Sequence, residues 1–232
     1  MSGTVYGLGV GPGDPELITV KALRLLRAAP VIAYPAPETG ESFARRIVAP
    51  HLPGGQQEIA IRMPLADAEF PKAEIYARAA EEILGHAAAG RDVAVLCEGD
   101  PFFYGSFLYL YERLAGRCAL QVVPGVSSLL ACAGVAGRPL ARRNEVLAVV
   151  PAPLPDDALR PLLAGGDALA IIKVGRHLGR LRRLLAACGR LDDACLVEHA
   201  TLASQRIEAL RDLPDEAAPY FSMVLLPSRS GR

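Results

Sequence analysis

The sequence has few of the residue pairs that make metal sites or disulfide frameworks. Its five cysteines are scattered with no CxxC pair, and its four histidines include no HxxxH pair. Structural zinc sites usually show such close pairs, and small disulfide scaffolds show an even number of cysteines. We therefore expect free cysteines that act as small apolar residues, and no metal bound by the protein's own side chains.

The sequence also lacks net charge and long apolar runs. Lys+Arg and Asp+Glu both number 25, so no overall field attracts nucleic acid or an acidic membrane surface. The apolar stretches are strand-sized, far short of the roughly 20 residues that span a bilayer. A signal peptide is not expected, because Gly7, Gly9 and Gly11 interrupt an N-terminal stretch that lacks a basic region. We expect a cytoplasmic protein that binds neither nucleic acid nor membrane.

The chain does have an alternation of strand-like and helix-like segments over 232 residues that are 51% hydrophobic. The apolar patterns predict strands over 4–10, 31–34, 93–97, 119–123, 145–150, 168–174, 194–198 and 220–226. They predict helices over 17–28, 75–86, 106–114, 126–135, 156–164 and 178–188. This alternation favours an α/β fold with a largely parallel sheet covered by helices. Pro124-Gly125 divides it into two predicted α/β domains, 1–123 and 124–232.

Three loops follow predicted strands, where parallel α/β sheets collect their ligands. The first, in "GLGVGPGDPELIT", fits neither a dinucleotide nor a Walker fingerprint. Counted from Gly7 or from Gly9, the third glycine of G-x-G-x-x-G is replaced by Pro12 or Asp14, and no Gly-Lys-Ser/Thr occurs. One alternative is a tight strand-to-helix turn with Asp14 as N-cap and Pro15 at the first helical position. The density of glycine favours a loop whose backbone contacts a ligand.

The second loop is "CEGDPFFYG", where Gly99 allows a turn and Pro101 stiffens it. Asp100 can accept hydrogen bonds from a cationic or hydroxylated ligand, and the aromatic residues offer flat apolar surface. The alternative is a helix cap with packed aromatic rings. A Gly99→Val change is expected to weaken ligand binding and leave the fold intact. In the third loop, "PGVSSLLACAG", Ser127 and Ser128 either cap a helix or contact a ligand.

Five segments together resemble the tetrapyrrole methylase family: "GVGPGDPELIT", "CEGDPFFYGSF", "VVPGVSS", "AIIKVGRH" and "YFSMVLL". They occur in the family's order over about residues 4–226. The longer "CEGDPFFYGSFLYLYERL", with "RPLARRN" and "KVGRH", is similar to the branch that methylates precorrin-2 at C-20.

The resemblance implies an S-adenosylmethionine (SAM)-dependent C-methyltransferase that converts precorrin-2 to precorrin-3A in cobalamin biosynthesis. It also implies two α/β domains with a ligand cleft between them, and a homodimer. The alternatives are cobalt-precorrin-2 as substrate, or a related SAM enzyme with another acceptor, such as one that methylates uroporphyrinogen or makes diphthine. A non-catalytic nucleotide- or tetrapyrrole-binding protein on this fold is a further alternative, and the presence of Asp100 argues against it.

The resemblance also implies site residues. The SAM contacts would be Pro12, Glu98, Gly99, Asp100, Phe103, Ser127, Ser128, Val174, Ala200, Ser222 and Met223. The substrate candidates are Asp14, Tyr104, Arg138, Arg142, Arg143, Arg176 and His177, because guanidinium groups suit the carboxylates of a tetrapyrrole. Asp100 is a candidate for positioning the reactants, and no general base is identified.

Overall fold

The computed structural model describes residues 2–63, 73–214 and 216–229. It divides into two compact units, Met1–Ser127 and Ser128–Arg232. The domain boundary predicted at Pro124 falls in the loop that ends the first unit. No helix among the described residues is long and apolar enough to cross a membrane.

The first unit is built on a parallel five-stranded sheet of order β3-β2-β4-β1-β5. Its strands are β1 Thr4–Gly9, β2 Val31–Pro37, β3 Gln57–Met63, β4 Val93–Cys97 and β5 Ala119–Val123. Every residue of β4 is buried, as expected for a strand covered on both faces. Because all five strands run the same way, their carboxyl ends meet at one edge of the sheet. We call this the carboxyl edge.

Helices cover both faces of this sheet. They are α1 Val20–Ala28, α2 Phe43–Val48, α3 Ala73–Ala88 and α4 Phe107–Leu114. Val93 and Val95 pack with α3 and α4 in one apolar cluster. Ala94 and Leu96 pack with α1 and α2 in another. The alternation of side chains along β4 therefore supplies two cores, one on each face.

The second unit carries a mixed sheet of order β6-β7-β10-β8-β9. Its strands are β6 Leu147–Pro151, β7 Ala168–Ile172, β8 Cys195–Glu198, β9 Arg206–Ala209 and β10 Ser222–Leu226, and its helices are α5 Ser128–Val135, α6 Asp156–Ala164 and α7 Leu178–Ala187. Only the β6–β7 pair is parallel; β10 runs antiparallel to β7 and β8, and β8 to β9. The prediction of a largely parallel sheet is correct for the first unit and wrong for the second, because β8 returns directly into β9 and β10 inserts between β7 and β8.

One α-helix and two strands of the described residues were not predicted: α2, β3 and β9. Helix α1 begins at Val20 rather than Leu17, because Thr19 Oγ1 accepts the N–H of Ala22 and starts the helix there. Asp14 starts a separate 3-10 helix, Pro15–Leu17, with its carboxylate accepting the N–H of Glu16. The predicted N-cap role of Asp14 is thus confirmed, on a shorter helix than expected.

Buried arginine donors hold the irregular segments of the second unit. Arg190 is 0% exposed, and its guanidinium donates to the carbonyls of Gly165 (2.8 Å), Asp167 (3.0 Å) and Pro227 (2.5 Å). On α7, Arg180 donates to the carbonyls of Ala152 and Leu154, and Arg182 to that of Leu210. Arg180 and Arg182 therefore hold loops of the second unit together through main-chain carbonyls.

Removing the Arg190 guanidinium should destabilise the protein strongly. An Arg190→Met change leaves three carbonyls without their donors, each costing roughly 1–3 kcal/mol, so we expect a clear fall in the urea midpoint. The control is Arg160→Met, which breaks only an exposed ion pair with Asp156 and should cost less than about 1 kcal/mol. Equal midpoints for the two variants would contradict the anchoring role.

Candidate functional site

Three loops lie side by side at the carboxyl edge of the first sheet. Loop 1 (residues 9–15) follows β1, loop 2 (98–105) follows β4, and loop 3 (124–128) follows β5. Strand β1 pairs with both β4 and β5, so loops 2 and 3 flank loop 1. Gly99 N donates to Gly11 O at 2.7 Å, and the two residues form an isolated antiparallel bridge. Loops 1 and 2 are thereby joined through their backbones.

Glycines allow the loops to approach this closely. A Cβ placed on Gly125 would lie 2.1 Å from the carbonyl oxygen of Gly99 and 2.7 Å from the Cα of Gly9. A Cβ on Gly9 would lie 2.5 Å from the Cα and N of Gly125. Such distances are far inside van der Waals contact, so only glycine fits at either position. The three loops form one close-packed backbone surface.

Gly99 also needs the conformational freedom of glycine, since its φ is +64°. A β-branched residue is strained in that region. The expectation that Gly99→Val leaves the fold intact is therefore wrong, and this variant would not separate ligand contact from folding.

Asp100 connects loop 2 to loop 3. Its Oδ1 accepts the N–H of Phe102 at 2.9 Å, and its Oδ2 accepts the N–H of Gly125 at 3.0 Å. The sequence pattern predicted an acceptor for a ligand, whereas the structure shows an acceptor for two backbone groups. The observed role of Asp100 is to hold loops 2 and 3 together. Each of its carboxylate oxygens can still accept a second hydrogen bond, so a contact between Asp100 and a ligand remains a prediction.

Glu98 occupies the last position before the turn of loop 2. Burial raises the pKa of its carboxyl, and hydrogen bonds from the backbone groups of Glu98 and Ala44 partly lower it again. Ala44 lies in the first turn of α2. The Glu98 side chain thus links loop 2 to α2, a contact that could not be predicted because α2 itself was missed.

The aromatic residues of loop 2 are partly exposed, as the sequence suggested. Phe102 is 51% exposed and packs edge-on against Tyr111, with ring centroids 4.9 Å apart. Tyr104 is 54% exposed, has a φ of +55°, and meets the half-buried Phe103 edge-on. These rings offer apolar surface beside the glycine loops.

Loop 1 has a further partner that the sequence did not reveal. The Nε2 of His51 lies 3.0 Å from the carbonyl oxygen of Pro15, so this side chain holds the end of the loop. Pro12 is half-buried and Gly13 is buried. In loop 3, Ser127 is half-buried and Ser128, the first residue of α5, is exposed.

The predicted SAM contacts of the second unit gather where β7 and β8 end and β10 begins. Ser222 pairs with Glu198, and Glu198 lies two residues before Ala200. Val174 is fully buried and follows Lys173, whose φ is +56°. Ala200 lies between His199 and Thr201, which have φ values of +48° and +70°. Left-handed conformations at non-glycine residues are costly and often accompany functional sites.

Two hydrogen bonds hold the backbone around these residues of the second unit. The N–H of His199 donates to the carbonyl of Phe221 at 2.9 Å, and the hydroxyl of Ser222 donates to that of Pro219 at 2.5 Å. Met223 is buried in β10. Val174, Ala200, Ser222 and Met223 are therefore brought together by the sheet.

The basic substrate candidates of the second unit fall into two groups. Arg176 and His177 follow Val174 in the 3-10 helix Gly175–His177. Burial and the charges of Arg180 and Arg176 lower the pKa of His177. Arg138 instead donates to the carbonyl of Asp193 at 2.8 Å, near the start of β8.

Arg142 and Arg143 are exposed in the segment that leads into the start of β6. The structure thus places Arg176 and His177 with the predicted SAM contacts of this unit. Arg138 lies at the opposite end of these strands. It contacts Asp193, just before β8 begins, and β7 begins at the same end of the sheet.

Two of the buried cysteines are poorly suited to act as nucleophiles. Burial raises the pKa of the Cys97 thiol well above its usual range, and that of Cys132 to about 12. Both are thiols rather than thiolates at neutral pH. Within the described ranges, no three His, Cys, Asp or Glu side chains form a group that could hold a metal ion.

Comparison with known proteins gives consistent matches over nearly the whole chain. The profile of the family described as Tetrapyrrole (Corrin/Porphyrin) Methylases matches residues 4–214. The chain is 41% identical to a precorrin-2 C(20)-methyltransferase of Sinorhizobium sp, over 99% of this chain and 97% of that protein. It is 32% identical to a cobalt-precorrin-2 C(20)-methyltransferase of Salmonella typhimurium, over 97% of each.

A solved structure also matches this chain over nearly its whole length. Uroporphyrin-III C-methyltransferase from Thermus thermophilus, complexed with S-adenyl homocysteine, matches with a TM-score of 0.69 and 30% identity. The match covers 96% of this chain and 97% of that one.

Adding one methyl group at Gly125 should separate the loops. Because a Cβ there meets the Gly99 carbonyl, we expect Gly125→Ala to cost roughly 1–3 kcal/mol of unfolding free energy. The control is Gly85→Ala in α3, where a Cβ has no atom within 4 Å and alanine should stabilise by up to about 1 kcal/mol. Thermal melts of both variants test this, and an unchanged melting temperature for Gly125→Ala would refute the close approach.

Proposed function

This chain belongs to the tetrapyrrole (corrin/porphyrin) methylases, and from that premise we propose that it transfers the methyl group of SAM to C-20 of precorrin-2. The product would be precorrin-3A, on the route to cobalamin. The observation that carries the proposal is the joining of three glycine loops at the carboxyl edge of the first sheet, in a chain 41% identical to a precorrin-2 C(20)-methyltransferase.

The residues at this edge suit SAM in two ways. Its sulfonium is cationic, and Glu98 and Asp100 are carboxyl groups two residues apart in loop 2. Gly9 and Gly125 let the three loops pack backbone against backbone, which brings main-chain groups of all three loops together at this edge. SAM supplies an activated methyl group on a good leaving group, which needs neither an enzyme nucleophile nor a protein-bound metal.

The protein's part in such a reaction is alignment and exclusion of water. The electron-rich C-20 carbon forms the new C–C bond, the S–CH3 electron pair stays on sulfur, and the C-20 proton is lost to solvent. We assign to loops 1, 2 and 3 the fixing of the SAM position, through Pro12, Glu98, Gly99, Asp100, Phe103, Ser127 and Ser128. In the second unit the proposed SAM contacts are Val174, Ala200, Ser222 and Met223.

Precorrin-2 carries carboxylates around its ring, so cationic side chains are the expected partners. Arg176 and His177 are the proposed contacts with the best placement, with Asp14 and Tyr104 in the loops of the first unit. Arg142 and Arg143 remain predicted substrate contacts. Arg138 also remains a predicted substrate contact, with its guanidinium already donating to the carbonyl of Asp193.

Cobalt-precorrin-2 is the second candidate substrate, favoured by the 32% identity to the Salmonella typhimurium protein that acts on it. The higher identity to the Sinorhizobium protein favours the metal-free ring. We also propose a cytoplasmic homodimer, as the family resemblance implies. Light scattering that shows a monomer at micromolar concentration would count against the dimer.

One assay tests the substrate. Purified protein with labelled SAM should methylate precorrin-2, and the rate with cobalt-precorrin-2 should be lower. Calorimetry should show binding of SAM and of S-adenosylhomocysteine without added metal. Failure to bind either at sub-millimolar concentration would remove the proposed function, and faster turnover of the cobalt complex would reverse the choice of substrate.

Loss of the Asp100 carboxylate should weaken SAM binding. Hydrogen bonds to a charged group contribute about 1.5–3 kcal/mol, so Asp100→Ala should raise the KM for SAM roughly 10- to 150-fold. Arg176→Ala should raise the KM for the tetrapyrrole and leave SAM binding unchanged.

The matched control is Asp92→Ala. The Asp92 carboxylate accepts the N–H of Thr4 at 2.7 Å, at the opposite edge of the same sheet. This change should lower stability and leave both KM values unchanged. If Asp100→Ala affects only the tetrapyrrole and Arg176→Ala affects only SAM, the two assignments are reversed.

A further inference from the structure

Arg62 lies at the carboxyl edge of the first sheet, two strands away from loop 2. It pairs with Ala36 across β3 and β2. The β2–β4 pairing ends at Ala33 with Val95, and both strands continue toward the edge that carries loop 2. Arg62 therefore lies toward the same edge of the sheet as loop 2, with β2 between β3 and β4.

The guanidinium of Arg62 is fixed by main-chain carbonyls. Its Nη1 donates to Pro37 O at 3.0 Å and to Glu38 O at 3.3 Å. The side chain belongs to the exposed set of β3, on the face opposite Ile59 and Ile61. These two bonds hold the group in place, and both acceptors are neutral carbonyls.

A short series of contacts connects this position to loop 2. Ser42 donates to Pro35 O of β2 and caps α2 by accepting the N–H of Arg45. Ala44, one residue before Arg45, is hydrogen-bonded to Glu98. Arg62 and loop 2 thus share one rigid frame made of β2 and the start of α2.

Arg45, close by, shows how an arginine of this surface binds a carboxylate. Its Nε and Nη2 donate to the two oxygens of Glu58 at 3.1 and 2.9 Å. In Arg62 the same Nε–Nη2 side makes no hydrogen bond to any described residue. No described carboxylate lies within ion-pair distance of it either. This side of a guanidinium presents two parallel N–H groups that match a carboxylate.

We propose that Arg62 binds a carboxylate of the tetrapyrrole substrate through its Nε and Nη2 atoms. This inference rests on the proposed function, since it assigns a substrate contact in the same site. The carboxylates on the rim of a tetrapyrrole are separated from its reacting carbon, so a cation set back from the SAM loops on the same edge suits them. Arg62 was not among the candidates taken from the sequence, because β3 was not predicted.

The test measures binding apart from methyl transfer. Uroporphyrin, an octacarboxylate that is stable and fluorescent, is titrated into the protein in the presence of S-adenosylhomocysteine. Arg62→Gln should raise its Kd roughly tenfold, and Arg62→Lys should restore part of the affinity because it keeps the charge and loses the paired donors. The dependence of Kd on salt should be smaller for Arg62→Gln than for the unmodified protein.

Arg91→Gln is the matched control. Arg91 is an exposed arginine that bonds Gln57 at the amino end of β3, so it lies at the other edge of the same sheet. Its Kd for uroporphyrin should stay within about twofold of the unmodified protein. Thermal melts and the affinity for S-adenosylhomocysteine, both expected to be unchanged in Arg62→Gln, separate a lost contact from a disturbed fold.

The outcomes separate the two claims. If Arg62→Gln binds uroporphyrin as well as Arg91→Gln does, or if the unmodified protein binds no uroporphyrin, the assignment of Arg62 is overturned. If the unmodified protein binds uroporphyrin with the expected difference between variants but does not methylate precorrin-2, Arg62 is retained and the proposed reaction fails.

Discussion

The position of loop 3 against loop 2 at the first sheet depends on the carboxylate of Asp100. Parallel strands bring loops 1, 2 and 3 to one edge, but strand pairing ends at Gly9, Cys97 and Val123. Beyond those residues, one carboxylate takes the N–H groups of Phe102 and Gly125. Charge-assisted acceptance of main-chain donors is among the stronger local interactions in proteins. It keeps loop 3 against loop 2 at a distance that only glycine permits.

The two units use irregular backbone in different ways. In the first, Gly11 and Gly99 adopt positive φ at little cost, and Tyr104 is the non-glycine residue of loop 2 that does so. In the second, Lys173, His199 and Thr201 adopt it without that freedom, so the surrounding contacts must maintain these conformations. The bond from His199 to the Phe221 carbonyl and the fully buried Val174 side chain supply such contacts. Strain held by packing fits a surface that must present main-chain groups in a fixed arrangement.

Long apolar patterns were enough to predict much of the fold. Strand β4 and helix α6 have the bounds predicted from the sequence, since each has clear periodicity and a clear stop. Helix α2 has only six residues, and β3 is a half-exposed strand at the sheet edge, so neither gave a strong signal. The direction of β10 could not be predicted, because periodicity carries no information on strand pairing. For the same reason, Asp100 could be identified from the sequence as a hydrogen-bond acceptor, but its hydrogen bond with the N–H of Gly125 in another loop could not.

The contact of Gly125 with Gly99 and Gly9 also bears on how this edge could change during evolution or in design. Since Gly9 and Gly125 each leave room for the backbone of the other two loops, a side chain added at either position would require a shift in the neighbouring loops. Substitutions at the three positions should therefore be strongly coupled, with effects on stability that do not add. A sequence that altered this edge would therefore have to change at several of these positions at once.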